Sequence, residues 1–117
     1  MKKVYYLSTC TTCKRIIKDH GLAEHSFHFQ DIKYDSINAK ELEDLYSLSG
    51  SYEGLFSKTA RKYKELGLRN KELKEQDYMK LLLEEYTFLK RPVIIIDDQL
   101  FIGNSKSNLQ NLAKALS

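Results

Sequence analysis

The stretch Tyr5-Tyr6-Leu7-Ser8-Thr9-Cys10-Thr11-Thr12-Cys13-Lys14-Arg15 contains both cysteines of the chain, separated by two residues. An apolar run, residues 4–7, precedes it, and Ile16, Ile17 and Leu22 follow at helical spacing. This spacing predicts a strand over 4–7 and a helix over 11–20, with Cys10 in the loop at the helix N-terminus. There the unpaired backbone N–H groups and the helix dipole favour negative charge, so a thiol ionises more readily. Cys13 falls one turn further along the same helix, within reach of a disulfide with Cys10 and more shielded. Lys14 and Arg15 add positive field nearby. The pattern suits a nucleophilic thiolate with a resolving partner.

Two other readings compete. Structural zinc needs four ligands, and beyond this pair the chain offers His20, His25 and His28, not spaced as a tight ligand pair. Two buried, inert thiols are the blander alternative. A CxxC directly after a strand, in a chain that continues as strand–helix–strand, is a thioredoxin-like redox motif, and the redox reading is preferred.

A length of 117 residues fits one domain that can bury a core without disulfide staples. With 42% hydrophobic and 30% charged residues, the composition is that of an ordinary soluble protein. No apolar run approaches the roughly 20 residues of a membrane span. The opening Met-Lys-Lys is followed by only a short apolar run before the CxxC, which argues against a signal peptide. A cytoplasmic location is expected, where a cysteine pair serves catalysis or sensing more often than structure. A net charge of +3 is too small to make nucleic-acid binding the default, and direct nucleic-acid or membrane binding is not expected.

Beyond the first helix, Gly21 supplies a stop, and residues 26–30 alternate as a half-buried strand on which His28 reads as a surface residue. Strand, helix and strand within about 30 residues suggest a parallel, right-handed βαβ unit. Leu42, Leu45, Tyr46 and Leu48 recur at helical spacing from Ala39 to the Ser49-Gly50-Ser51 break. Further helices are expected over 58–66, stopped by Gly67, and over 75–86, carrying Tyr78, Leu81, Leu82 and Tyr86 on one side. The lone proline, Pro92, then introduces the β-branched run Val93-Ile94-Ile95-Ile96, expected as a central strand. Asp97-Asp98 makes a tight turn into a second strand at 100–102, and Asn104 or Ser105 caps a last helix. That helix is expected to bury Leu109, Leu112, Ala113 and Leu116.

This order resembles the thioredoxin/glutaredoxin fold, and more narrowly the arsenate reductase (ArsC)/Spx family. The resemblance rests on Tyr5, Cys10-Thr11, Cys13-Lys14, Tyr63-Lys64-Glu65-Leu66-Gly67-Leu68, Leu89-Lys90-Arg91-Pro92-Val93 and Ile102-Gly103, and it spans almost the whole chain. It implies an α/β, thioredoxin-like (glutaredoxin-like) mixed sheet with a helical insertion between the second and third strands. A single domain over 1–117 would then comprise a core of 1–34 and 88–117 and an insertion of 35–87. It also implies a cis Pro92 opposite the nucleophile.

Two activities follow from the resemblance. Glutathione-linked arsenate reductases use the thiolate at the Cys10 position with three arginines around the oxyanion. Arg91 matches one of them; the others fall on Thr59, two residues from Arg61, and on Asn104 or a neighbour. The histidine often found four residues before the nucleophile is Tyr6 here. The Spx branch shares the second cysteine at Cys13, and its members are redox switches that bind the C-terminal domain of the RNA polymerase α subunit. The glycine of that contact falls at the Gly50-Ser51 step, with Ser51 at the matched position, and the tail lacks that branch's acidic, arginine-ending character.

The expected function is thus thiol–disulfide redox chemistry, with Cys10 attacking and Cys13 resolving. Arg91 would stabilise the thiolate or an anionic substrate. Thr11 and Thr12 would offer backbone N–H groups, with Arg61 and Pro92 completing the substrate side. Neither a metal nor a tightly bound cofactor is expected. The reductant would be an external thiol such as glutathione, thioredoxin or glutaredoxin. The alternative is a redox-switched regulator that binds the RNA polymerase α subunit.

Overall fold

A computed structural model describes residues 1–117. The chain divides into two compact units, Met1–Asp35 with Arg91–Ser117, and Ser36–Lys90.

The first unit is built on a four-stranded mixed sheet in the order β2-β1-β3-β4. Its strands are β1 (Lys2–Tyr6), β2 (His28–Asp31), β3 (Val93–Ile96) and β4 (Gln99–Ile102). Helix α1 (Thr11–Asp19) connects β1 to β2, which pair in parallel with Val4 opposite Phe29 and Tyr6 opposite Asp31. β3 runs antiparallel to both β1 and β4. Its central place explains its composition: a strand covered on both faces has no solvent side for polar residues, and all four of its side chains are buried. Val4, Ile94 and Phe101 are cross-strand partners and so share one face of the sheet. They form one core with Ile16 of α1 and Leu112 of the last helix, α5 (Lys106–Leu116). Each such fully buried side chain stabilises the fold by about 1.5–3 kcal/mol relative to exposure.

Two local expectations shift, and one open alternative is decided. β2 starts at His28, because Ser26 takes a left-handed conformation at φ 62° and delays the extended backbone. In α5, Ser105 is the cap, accepting the Asn108 N–H at 3.2 Å. Ala113 faces solvent, while Ala115 packs with Leu109 and Leu116 around buried Leu112. Residue 115 lies three past Leu112 and shares its side of the helix, whereas 113 is rotated by about 100°.

In the second unit, α2 (Ala39–Ser49) begins with a reciprocal cap. Asn38 Oδ1 accepts the Glu41 N–H at 2.8 Å, and Glu41 Oε1 accepts the Asn38 N–H at 3.1 Å. Leu42 and Leu45 are buried, but Tyr46 and Leu48 are exposed, and Tyr46 stacks on Tyr52 at 4.2 Å between ring centroids. The helix expected over 58–66 is only α3 (Arg61–Glu65). The backbone before it is drawn away: Phe56 bridges Leu89, and the Ser57 N–H donates to the Phe88 carbonyl at 2.7 Å. Around Phe56 gather the rings of Phe88, Tyr78 and Tyr63, with centroids 4.7, 5.0 and 5.9 Å away. Helix α4 (Glu75–Glu84) buries Tyr78 and Leu82 and stops before Tyr86, where a 3-10 turn, Tyr86–Phe88, takes over. No helix is long and apolar enough to cross a membrane.

Candidate functional site: a paired thiol at a helix N-terminus

Cys10 occupies the N-cap of α1, with extended dihedrals of φ −94° and ψ 110°. Its amide donates to the Leu7 carbonyl at 2.9 Å, which turns the chain out of β1, and its own carbonyl accepts the Lys14 N–H at 3.2 Å to start the helix. Thr11 and Thr12 are the first two residues of α1, where helical N–H groups lack carbonyl partners inside the helix. Lys14 and Arg15 are exposed on its first turns.

The two thiols are free, Cys10 half-buried and Cys13 fully buried. Burial works against ionisation of Cys10 and is the largest single influence on it. It is outweighed by hydrogen bonds from the Cys13 N–H, the Cys13 thiol and the Arg91 guanidinium, and the positive charge of Arg91 adds to them. The net result holds the Cys10 thiol below its ordinary value. Cys13 goes the other way. Burial, then the hydrogen bond and charge of Cys10, push it up to about 12, against a weaker pull from the Leu7 N–H and Arg91. Of the pair, Cys10 therefore gives up its proton first, while Cys13 keeps its own and shares it toward the Cys10 sulfur.

Arg91 is half-buried and stands directly before Pro92, whose peptide bond is cis. The Pro92 carbonyl accepts the Gly103 N–H at 2.9 Å, tying the start of β3 to the end of β4. The structure thus brings Cys10, Cys13 and Arg91 into contact at the head of α1. Arg61 belongs to the other unit, exposed at the first position of α3, and Thr59 and Asn104 are exposed as well. Tyr6, at the position of the family's histidine, packs edge-on against Phe29 with centroids 6.0 Å apart. No group of three or more His, Cys, Asp or Glu side chains could hold a metal ion.

One residue of this region escaped the sequence reading. Asp31, the last residue of β2, accepts the Ser8 N–H through Oδ1 at 3.2 Å and the Lys33 N–H at 3.2 Å. The parallel register that sets Tyr6 beside Asp31 places that carboxylate next to the cysteine loop. Only the strand pairing, which no local pattern specifies, could have revealed it.

Comparison with known proteins agrees with the geometry. The ArsC family model matches residues 5–112. The regulatory protein MgsR of Bacillus subtilis is 26% identical over 113 residues, covering 94% of this chain and 88% of its own length. An arsenate reductase of Neisseria meningitidis is 22% identical over 113 residues, with 92% and 94% covered. Among solved structures, an ArsC family related protein from Bacteroides fragilis superposes with a TM-score of 0.79 at 23% identity, over 95% of this chain and 96% of the other. The fold is therefore the thioredoxin-like α/β fold of these proteins, as the order of elements suggested. With nearly its whole length matched by the family model, the chain belongs to the ArsC family.

Proposed function

We propose that the protein is a thiol–disulfide redox protein in which Cys10 is the nucleophile and Cys13 the resolving thiol. The observation that carries this reading is the opposed ionisation of the two sulfurs: Cys10 is favoured as thiolate by Arg91 and the Cys13 N–H, while buried Cys13 keeps its proton. The Cys10 thiolate attacks one sulfur of a substrate disulfide, the S–S bond breaks, and the departing thiolate takes a proton from water. Cys13 then loses its proton and attacks the Cys10 sulfur of the mixed disulfide, releasing the second substrate thiol. Two electrons have passed to the substrate and a Cys10–Cys13 disulfide has formed. An external thiol, of the glutathione or thioredoxin/glutaredoxin type, returns the pair to its reduced state.

Arsenate is the less favoured substrate. Capture of a tetrahedral oxyanion needs several donors arranged around the thiolate, and of the three family arginine positions this chain keeps Arg91, with the other two falling on Thr59 and on Asn104 or a neighbour. Arg61 would take part only by facing the thiol. A second reading, a redox-switched regulator acting through the RNA polymerase α subunit, draws support from the similarity to MgsR, named as a regulatory protein, over 94% of the chain. Here the same Cys10–Cys13 disulfide would be the switch.

The deciding experiment compares reduction of a small disulfide by wild type and Cys10→Ser, alongside recovery of RNA polymerase subunits with the tagged protein. Exchange lost in Cys10→Ser supports the redox protein. Absent exchange, with polymerase retained in a manner dependent on the pair's redox state, would replace it with the regulator.

A further inference from the structure

Two consecutive peptide planes lead from β1 toward the cysteines, and the last residue of β2 and the one after it hold them. In the Tyr6–Leu7 peptide, the carbonyl accepts the Ile32 N–H at 2.9 Å, while the Leu7 N–H is directed at the Cys13 sulfur. In the Leu7–Ser8 peptide the polarity is reversed. Its N–H donates to Asp31 Oδ1 at 3.2 Å, and its carbonyl accepts the Cys10 N–H at 2.9 Å. A peptide unit is planar, so its N–H and C=O cannot turn independently. Whatever fixes the N–H of that plane also fixes the carbonyl that receives Cys10.

Asp31 is itself held. Its Oδ1 also accepts the Lys33 N–H at 3.2 Å, and the Ser8 hydroxyl adds a third donor. Burial opposes the carboxylate, but the Ser8 and Lys33 donors and the Lys33 charge prevail and keep it below the ordinary carboxylate range. It is an ionised acceptor at neutral pH.

We propose that Asp31 is a positioning residue for the thiol pair, holding the Leu7–Ser8 peptide plane in the orientation that presents its carbonyl to the Cys10 amide. Without that acceptor the plane is free to rotate, the Cys10 N–H loses its partner, and the sulfur leaves the reach of the Cys13 N–H and Arg91. This rests on the redox reading of Cys10 and adds a residue that touches neither thiol substrate nor sulfur.

The charge of Asp31 and its geometry have opposite consequences, which makes the proposal testable. A carboxylate acting through its field disfavours a nearby thiolate, so removing it would lower the pH at which Cys10 ionises. A carboxylate acting by position favours the thiolate, so removing it raises that pH. The groups facing Cys10 are Cys13 and Arg91, and those facing Asp31 are Ser8 and Lys33, all retained in the variants.

The experiment follows the rate of reaction of Cys10 with a small neutral disulfide against pH, in full-length wild type, Asp31→Ala, Asp31→Asn and Asp31→Glu. Asp31→Ala is expected to raise the midpoint by about 0.4 to 1 pH unit, the range of a lost hydrogen bond, and to slow the rate below the midpoint by up to about threefold, since the more basic thiolate is also more nucleophilic. Asp31→Asn, whose amide oxygen accepts the same two N–H groups, should stay within about twofold of wild type on the same scale. Asp31→Glu keeps the charge but displaces the acceptor by a methylene, and should shift as Ala does, by less. If Asp31→Ala fails to fold, the Asn and Glu pair still separates charge from position. A midpoint that falls in Asn and Ala, or stays put in Ala and Glu, overturns the proposal. A wild-type Cys10 no faster than Cys13 removes the redox reading itself, and that outcome is visible before any Asp31 variant is made.

Discussion

Replacing Arg91 with alanine should slow Cys10 below its ionisation midpoint and quicken it in alkali. The guanidinium gives Cys10 both a hydrogen bond and a nearby positive charge. A bond of this charge-assisted kind contributes about 1.5–3 kcal/mol. Both Cys10 and Arg91 are half-buried, so water competes and the lower end applies, about 1.5 kcal/mol or roughly a tenfold loss of thiolate. The thiolate that remains is more basic and so more nucleophilic. With a Brønsted coefficient of about 0.5, a tenfold more basic thiolate attacks a disulfide about threefold faster. Below the ionisation midpoints the two effects leave Arg91→Ala about threefold slower than wild type; above them, where both proteins are fully ionised, it is about threefold faster. The profiles must cross. Rates against a neutral disulfide over the full pH range, read at the Cys10 peptide by mass spectrometry, give both limbs. Superimposable profiles, or a variant slower at every pH, would refute this account of Arg91.

Cys13→Ser should still form a mixed disulfide at Cys10 and then stall, so the adduct accumulates and is seen as an intact mass. Arsenate turnover with glutathione and glutaredoxin should be weak or absent beside brisk disulfide exchange; robust turnover that disappears in Arg91→Ala would mean that the oxyanion site has been undervalued. Leu112→Ala, at a fully buried position of the first unit, should cost about 2–5 kcal/mol in urea unfolding while leaving the pH midpoint of Cys10 in place.

What could be read from the sequence depended on how local its cause was. The CxxC, the strand before it and the helix after it are set within fifteen residues, and the chain folds there as its spacing suggests. The run Val93-Ile94-Ile95-Ile96 announces a strand without a solvent face, which is what β3 is. Pro92 is cis, as the resemblance implied. The misses have distant causes. Residues 58–60 have an ordinary helical composition, but the bridge between Phe56 and Leu89 claims the backbone just upstream. Ala113 and Ala115 are indistinguishable by type, and only the direction of Leu112 decides between them. Asp31 carries no local signal, and only the parallel register sets it beside Ser8.

The opposed ionisation of the two thiols also links the redox state of the protein to its stability in alkali. In the unfolded chain both thiols titrate near about 8.5. Folded Cys13 holds its proton up to about 12, so between these values the folded protein binds one more proton than the unfolded chain. Stability then falls as pH rises, by about 1.4 kcal/mol for each pH unit. Cys10 has the opposite sign. Its lowered folded value adds stability that is complete above the unfolded thiol value and is lost as pH falls through the folded one. It contributes no slope in the alkaline window, so the decline there belongs to Cys13. Lysines and tyrosines titrate in the same range, but they are common to all forms of the protein and cancel in a comparison. Wild type should therefore lose stability relative to Cys13→Ser as the pH is raised from about 8 to about 10.5, a difference near 3 kcal/mol. The Cys10–Cys13 disulfide has no thiol to titrate, so the oxidised protein should show none of that decline. In Cys10→Ser the decline should begin at the same pH but end sooner, since Cys10 itself helps to hold the Cys13 proton in the folded protein. Urea unfolding at the two pH values, on reduced, oxidised and both serine forms, tests the chain of reasoning. Parallel pH profiles for reduced wild type and Cys13→Ser would show that Cys13 is not held as a thiol, and the division of labour between the two sulfurs would have to be redrawn.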